Sequence, residues 1–153
     1  MTGNISLWSD MRILAQLQTL DEALRAWKRY QEIPMEKFSQ EKDLQYMVCH
    51  AMLLSIQSSI DIATSIAVKK TPKRPESYRE TFSLLGKYHF IPENVAFELS
   101  KLAGFRNILV HEYTALDVDA VYHVLQNDWD FLETFRKIVK EFIEEESERP
   151  GTL

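Results

Sequence analysis

The chain has 153 residues, with Lys+Arg 18 and Asp+Glu 23 giving a formal net charge of −5. That length suits one domain whose core needs no metal or disulfide staple, and the single cysteine, Cys49, excludes an internal disulfide framework. The acidic balance argues against broad coating of nucleic acid but leaves room for a small local RNA site.

No secretory signal is evident, and the expectation is that no apolar run approaches the roughly 18 residues of a membrane span. A cytoplasmic protein with no membrane partner is the resulting expectation. Leu7, Met11, Leu14, Leu17, Leu24 and Trp27 recur at helical spacing and predict a first helix from Leu7 to Tyr30. The run EIPMEKFS, with Pro34, interrupts it. A second long helix is expected from about Glu41 to Val68, with a packing stripe that includes Leu44, Met47, Val48, Leu54, Ile62 and Ile66. The prolines of TPKRP end it, since proline lacks the amide proton and clashes with a continuing helix.

A shorter helix is expected from Glu76 to Lys87, and Pro92 suits the first turn of the next. Asp117 can cap a last long helix from Val118 to about Glu144, in which Val121, Leu125, Leu132, Phe135 and Phe142 are apolar. Nothing alternates with a β period, and no repeat is visible. The chain reads as one all-α bundle over 1–153, with its core at about 7–144 and an acidic C-terminal tail. Trp8, Trp27 and Trp129 belong to its core or an interface. The basic run KKTPKRPESYR, with Lys69, Lys70, Lys73, Arg74 and Arg79, and the acidic run EFIEEESE both read as solvated surface. The basic run could also steer a phosphate backbone or an acidic partner.

One segment asks for more than packing. GFRNILVHEY, Gly104 to Tyr113, sets an arginine, an amide, a histidine and a tyrosine among apolar residues near a helix end. On an ideal helix Asn107 and His111 stack about 6 Å apart along the axis, whereas Arg106 and His111 diverge by about 140°. Gly104 removes a side chain where helices need close approach. Histidine exchanges protons near neutral pH, arginine holds phosphate through a planar fork, asparagine orients a neighbour, and tyrosine offers a hydroxyl. No carboxylate cluster for two-metal hydrolysis, zinc-ligand spacing, Gly-rich phosphate loop or nucleophile elbow appears, so neither a metal nor a cofactor is expected. Metal-independent phosphoryl chemistry on RNA, which carries its own 2′-hydroxyl nucleophile, suits this set. A structural cluster holding a helix end, or a charged dimer seam, would use the same residues.

GFRNILVHEY resembles the signature of the HEPN family, specifically its HepT branch of toxin–antitoxin proteins. In that signature an arginine is followed by four residues, a histidine, one residue and a tyrosine. Arg106, His111 and Tyr113 match it directly, and Asn107 matches the polar position after the arginine. SIQSSIDIATSI, RPESYRETFSLLGKYHFIP and LDVDAVYHVLQNDWDFLETF extend the likeness over roughly Leu7 to Glu144. Ser65 stands where many relatives have histidine, and VCHAM lacks a charged pair common in that helix.

The resemblance implies an antiparallel helical bundle that homodimerises around a shared cleft. It also implies a metal-independent endoribonuclease leaving a 2′,3′-cyclic phosphate and a 5′-hydroxyl. Arg106 and His111 would be catalytic, with Asn107 supporting them; Asp61, a polar group on the second long helix that could face the cleft, is a further supporting candidate from its position. The implied partner is a minimal nucleotidyltransferase antitoxin that transfers AMP from ATP to Tyr113. The same resemblance also accommodates a catalytically inactive helical subunit that binds such a transferase. His50, His89 and His123 carry little functional weight.

Overall fold

The computed structural model describes residues 11–111 and 116–147. They form seven helices: α1 (Met11–Tyr30), α2 (Met35–Gln40), α3 (Lys42–Lys70), α4 (Tyr78–Lys87), α5 (Glu93–His111), α6 (Val118–Asn127) and α7 (Trp129–Ser147). The all-α bundle expected from periodicity is the observed architecture, and Leu7 and Trp8 lie outside the described residues.

Helix α3 is the hub and touches all six others. Contact with so many neighbours calls for apolar residues on more than one side, and α3 supplies Val48, Met52, Ile56, Ile60, Ile62 and Ile66, all buried. Small buried residues among them (Ala51, Ser55, Ser59, Ala63 and Ala67) let neighbours approach closely. Its apolar stretch is long enough by length and composition to cross a membrane, contrary to the expectation that no such run exists, but most of it is buried inside the bundle. The expected stripes include positions that the structure leaves outside the core: Met47 and Leu54 are exposed, as are Met11 and Leu14 on α1. The burial of Ile13, Leu17, Leu20, Leu24 and Trp27 gives α1 its contact with α3.

Two boundaries depart from the periodic reading. Pro34 does not leave a plain loop; it precedes the short helix α2, whose Phe38 is wholly buried and packs on Tyr122 at 5.4 Å between ring centroids. The single last helix expected from Val118 to Glu144 is instead two, parted at Asp128. The reason is tertiary. Trp27 Nε1 and Gln31 Nε2, both from the α1 side, donate to the Leu125 carbonyl at 2.8 and 2.9 Å. That oxygen would otherwise accept from the amide four residues on. Trp129 Nε1 in turn donates to the Leu24 carbonyl at 2.9 Å, anchoring the start of α7 on α1. Trp27 is thus a core residue and Trp129 a partly buried one packed against the core, and both take part in the helix break.

Helix α4 starts as its sequence requires. Ser77 Oγ accepts from the Glu80 amide at 3.1 Å, and Glu80 reaches back to the Glu76 amide at 2.6 Å, a variant of the reciprocal cap. At its far end His89 takes a positive φ of 63° while the Phe90 amide donates to the Leu85 carbonyl at 2.8 Å. This left-handed closure turns the chain back so that α5 lies along α4.

Candidate functional site: an arginine network on helices 3, 4 and 5

Helix α5 opens directly after Pro92, whose carbonyl accepts from the Ala96 amide at 3.0 Å. Val95, Ala96, Leu99, Leu102, Ala103 and Leu109 bury one side of it. That seating leaves Arg106 at the margin, facing α3 and the first residue of α4. Arg106 Nε donates to Gln57 Oε1 at 2.8 Å, and Gln57 Nε2 donates to Asp61 Oδ1 at 3.0 Å. Gln57 and Asp61 sit one turn apart on α3, so one amide links the carboxylate to the guanidinium. Tyr78 lies against the same guanidinium, with Arg106 Cζ 5.4 Å from its ring centroid. The arginine is therefore fixed by its Nε edge and one face, and its terminal amino groups can engage a phosphate.

The other signature residues are distributed unevenly. Asn107 Oδ1 accepts from Arg106 Nη1 at 3.1 Å, so Asn107 supports the arginine in this arrangement. His111 is the exposed last residue of α5. No hydrogen bond joins it to the Arg106 network among the described residues, which agrees with the wide angle between the two positions. Tyr113 lies outside the described residues. Asp61 belongs to the network through Gln57 and does not touch Arg106 by a hydrogen bond of its own.

Gly104 answers its expectation in an unexpected way. A Cβ there would run into the guanidinium of Arg79, not into a helix backbone. The missing side chain lets a second cation from α4 lie over α5, two residues before Arg106. The Arg79 carbonyl also accepts from Ser100 Oγ at 3.1 Å, which holds this end of α4 on α5. Part of the basic run is otherwise neutralised, since Lys70 pairs with Glu146 of the acidic segment at 3.1 Å and Lys73 with Glu80 at 3.3 Å.

Gln57 and Tyr78 are the residues that sequence reasoning missed. A polar pair spaced four apart on an otherwise apolar helix was the available signal for Gln57, whereas Tyr78 gave none. The remaining histidines have other places: His50 is exposed on α3, His89 closes α4, and the His123 carbonyl accepts from Asn127 Nδ2 at 2.8 Å. Burial pushes the Cys49 thiol up to about 11, which keeps it protonated and unreactive near neutral pH. Among the described residues no three His, Cys, Asp or Glu side chains converge as a metal site would require.

The profile of the family described as ribonuclease HepT-like matches residues 20–139, most of the chain. This protein belongs to the ribonuclease HepT-like family. The mRNA nuclease HepT of Shewanella oneidensis is 33% identical over 118 residues, covering 76% of this chain and 89% of that protein. The tRNA nuclease HepT of Aphanizomenon flos-aquae is 27% identical over 110 residues, covering 72% and 75%. Among solved structures, the tri-AMPylated HEPN toxin of Shewanella oneidensis in complex with MNT antitoxin superposes with a TM-score of 0.76 at 28% identity. It covers 85% of this chain and 97% of that one. The HepT-type bundle expected from the signature is therefore the family and fold of this chain, and its relatives are nucleases.

Proposed function

We propose that this protein is a cytoplasmic toxin that cuts RNA without a metal ion, using Arg106 and His111. The observation that carries the reading is the Arg106 network: a guanidinium held by Gln57, Asn107 and Tyr78, with donors left for a phosphate, one and a half turns before a solvent-facing histidine. In the reaction the RNA 2′-oxygen attacks the adjacent phosphorus and the bond to the 5′-oxygen breaks. The products are a 2′,3′-cyclic phosphate and a 5′-hydroxyl. One proton leaves the 2′-hydroxyl and one reaches the departing 5′-oxygen, and His111 carries one of these transfers. Arg106 offsets the charge that grows on the non-bridging oxygens.

A second copy of the chain completes the site. Phe97, Ile108 and His111 recur on one outward face of α5, with Phe97 64% and Ile108 40% exposed. Pairing two such faces would cover the apolar residues and bring a second His111 toward the cleft, which accounts for the separation of His111 from Arg106 within one chain.

Control comes from a minimal nucleotidyltransferase antitoxin. The phenolic oxygen of Tyr113 attacks the α-phosphorus of ATP, pyrophosphate departs, and the attached AMP adds negative charge two positions after His111 in the chain, where it would compete with RNA for Arg106. Support comes from the match of Arg106, His111 and Tyr113 to the HepT signature and from the AMPylated, antitoxin-bound state of the similar Shewanella toxin.

The test is cleavage of RNA by the purified protein in chelator, with end-group analysis, followed by the same assay after treatment with the cognate transferase and ATP. His111→Ala should lower cleavage by two or more orders of magnitude while the fold is kept. Tyr113→Phe should abolish AMP addition, read by intact mass, and leave cleavage insensitive to the transferase. Strict dependence on a divalent ion, or a His111→Ala protein as fast as the parent, would overturn the reading. A stable complex with the transferase but no cleavage by the free protein would assign the chain as a catalytically inactive binding subunit.

A further inference from the structure

Beside the arginine network lies a cavity of about 430 Å³ between the start of α1, the middle of α3 and Tyr78. Its polar walls are Arg12, Gln16, Asp61, Thr64, Ser65 and Tyr78. Two of these also belong to the arginine network: Tyr78 carries Arg106 on its ring, and Asp61 reaches Arg106 through Gln57. A group in the cavity is thus one side chain away from a phosphate on Arg106. The volume lies within the range of small-molecule sites.

We propose that this cavity is a nucleobase subsite that selects the nucleotide next to the phosphate held by Arg106, a reading that rests on the nuclease function above. The chemistry of the walls defines the base. Tyr78 is 41% exposed and offers a ring for stacking. Asp61 accepts from Gln57 through Oδ1, and its second oxygen remains an acceptor for an N–H of the base. Thr64 Oγ1 already donates to the Ile60 carbonyl at 2.8 Å, so toward a ligand it presents lone pairs. On the α3 wall Asp61 and Thr64 therefore present acceptors, beside the hydroxyl of Ser65. Cytosine, adenine and guanine each present an exocyclic amino group to such a wall. Uracil presents only one N–H flanked by two carbonyl oxygens, which would face the carboxylate unfavourably. The subsite prefers amino-bearing bases over uracil.

Binding and cleavage test this separately. The full-length protein is titrated with the four nucleoside 3′-monophosphates and the four 5′-monophosphates by calorimetry, and the positional series that binds shows on which side of the phosphate the base sits. Within that series the cytidine, adenosine and guanosine nucleotides should bind roughly tenfold more tightly than the uridine nucleotide. Asp61→Asn should erase that difference. Ser65→Trp, which fills the cavity, should weaken all nucleotides while leaving inorganic phosphate binding in place; Ser65→Leu serves if the tryptophan variant loses helix content. Equal affinity for all four bases, or discrimination that survives Asp61→Asn, would overturn the subsite. Sequencing of cut ends from a random single-stranded RNA pool separates the two readings. Base discrimination without any cleavage would remove the nuclease function and keep the subsite, whereas cleavage with no base preference beside the cut would do the reverse.

Discussion

A single amide, Gln57, couples the interior helix to the candidate catalytic arginine. Its carbonyl fixes Arg106 Nε and its NH2 group is anchored on Asp61, so the arginine inherits the rigidity of α3. Hydrogen bonds to charged groups are worth about 1.5–3 kcal/mol, and misplacement of a phosphate clamp is costly to rate. Gln57→Leu should therefore reduce kcat/KM for RNA roughly tenfold or more, about 1.4 kcal/mol in transition-state stabilisation. Single-turnover kinetics with an unchanged circular dichroism spectrum would check it. Ser59 shows the opposite case on the same helix. Its hydroxyl is wholly buried and has no hydrogen-bond partner among the described residues. Removing an unsatisfied buried polar group is neutral or favourable, so Ser59→Ala should leave stability unchanged or raise it by about 1 kcal/mol in urea unfolding.

At the level of elements, two glycines with similar helical settings should respond differently. A Cβ at Gly86 would meet the Ala96 Cβ at 2.7 Å, and that atom is tied to the backbone of α5. Helices α4 and α5 would have to separate, so Gly86→Ala should cost about 1–3 kcal/mol. At Gly104 the obstacle is the far end of the Arg79 side chain, which can swing aside, and alanine recovers about 1 kcal/mol of helix propensity. Gly104→Ala should match or exceed the parent in thermal melting. Displacement of Arg79 would then appear as weaker RNA binding at low salt, the condition in which a single phosphate contact is easiest to detect.

Across the whole molecule, acidic side chains tie distant elements together. Hydrogen bonding to Arg136, at 2.8 Å from each carboxylate oxygen, holds Glu133 below the usual carboxylate value of 4.5. The same arginine reaches Asp21 of α1 at 3.1 Å. The backbone amide of Glu76, and then Lys73, lower Glu80 likewise. A carboxylate whose folded value is depressed contributes stability that is present above its unfolded value and disappears as pH falls through the folded one. Thermal stability should consequently hold from neutrality down to about pH 5 and decline below about pH 4.5. Arg136→Met should flatten part of that decline in melts followed by circular dichroism. Association belongs to this scale as well: if the proposed pairing through α5 forms, Ile108→Glu on its outward face should shift the protein from dimer to monomer in light scattering, with the proposed cleavage lost in parallel.

Sequence periodicity and punctuation alone determined much of this protein. Apolar spacing marked α1 and α3 and the combined run of α6 and α7, the prolines after Thr71 marked the end of α3, and Asp117 marked the start of α6, where its side chain accepts from the Ala120 amide at 3.1 Å. The ten residues from Gly104 to Tyr113 carried the family, because the signature is local in the chain. Tertiary structure alone decided what depends on meetings between distant residues. Nothing near Leu125 foretells that Trp27 and Gln31 will occupy its carbonyl and part α6 from α7. Arg106 lies 49 positions from Gln57, and the wall that Tyr78 and Asp61 share with the neighbouring cavity exists only once α3, α4 and α5 have packed. Helix period is a property of neighbouring residues, whereas the partner of a side chain is set by packing across the bundle.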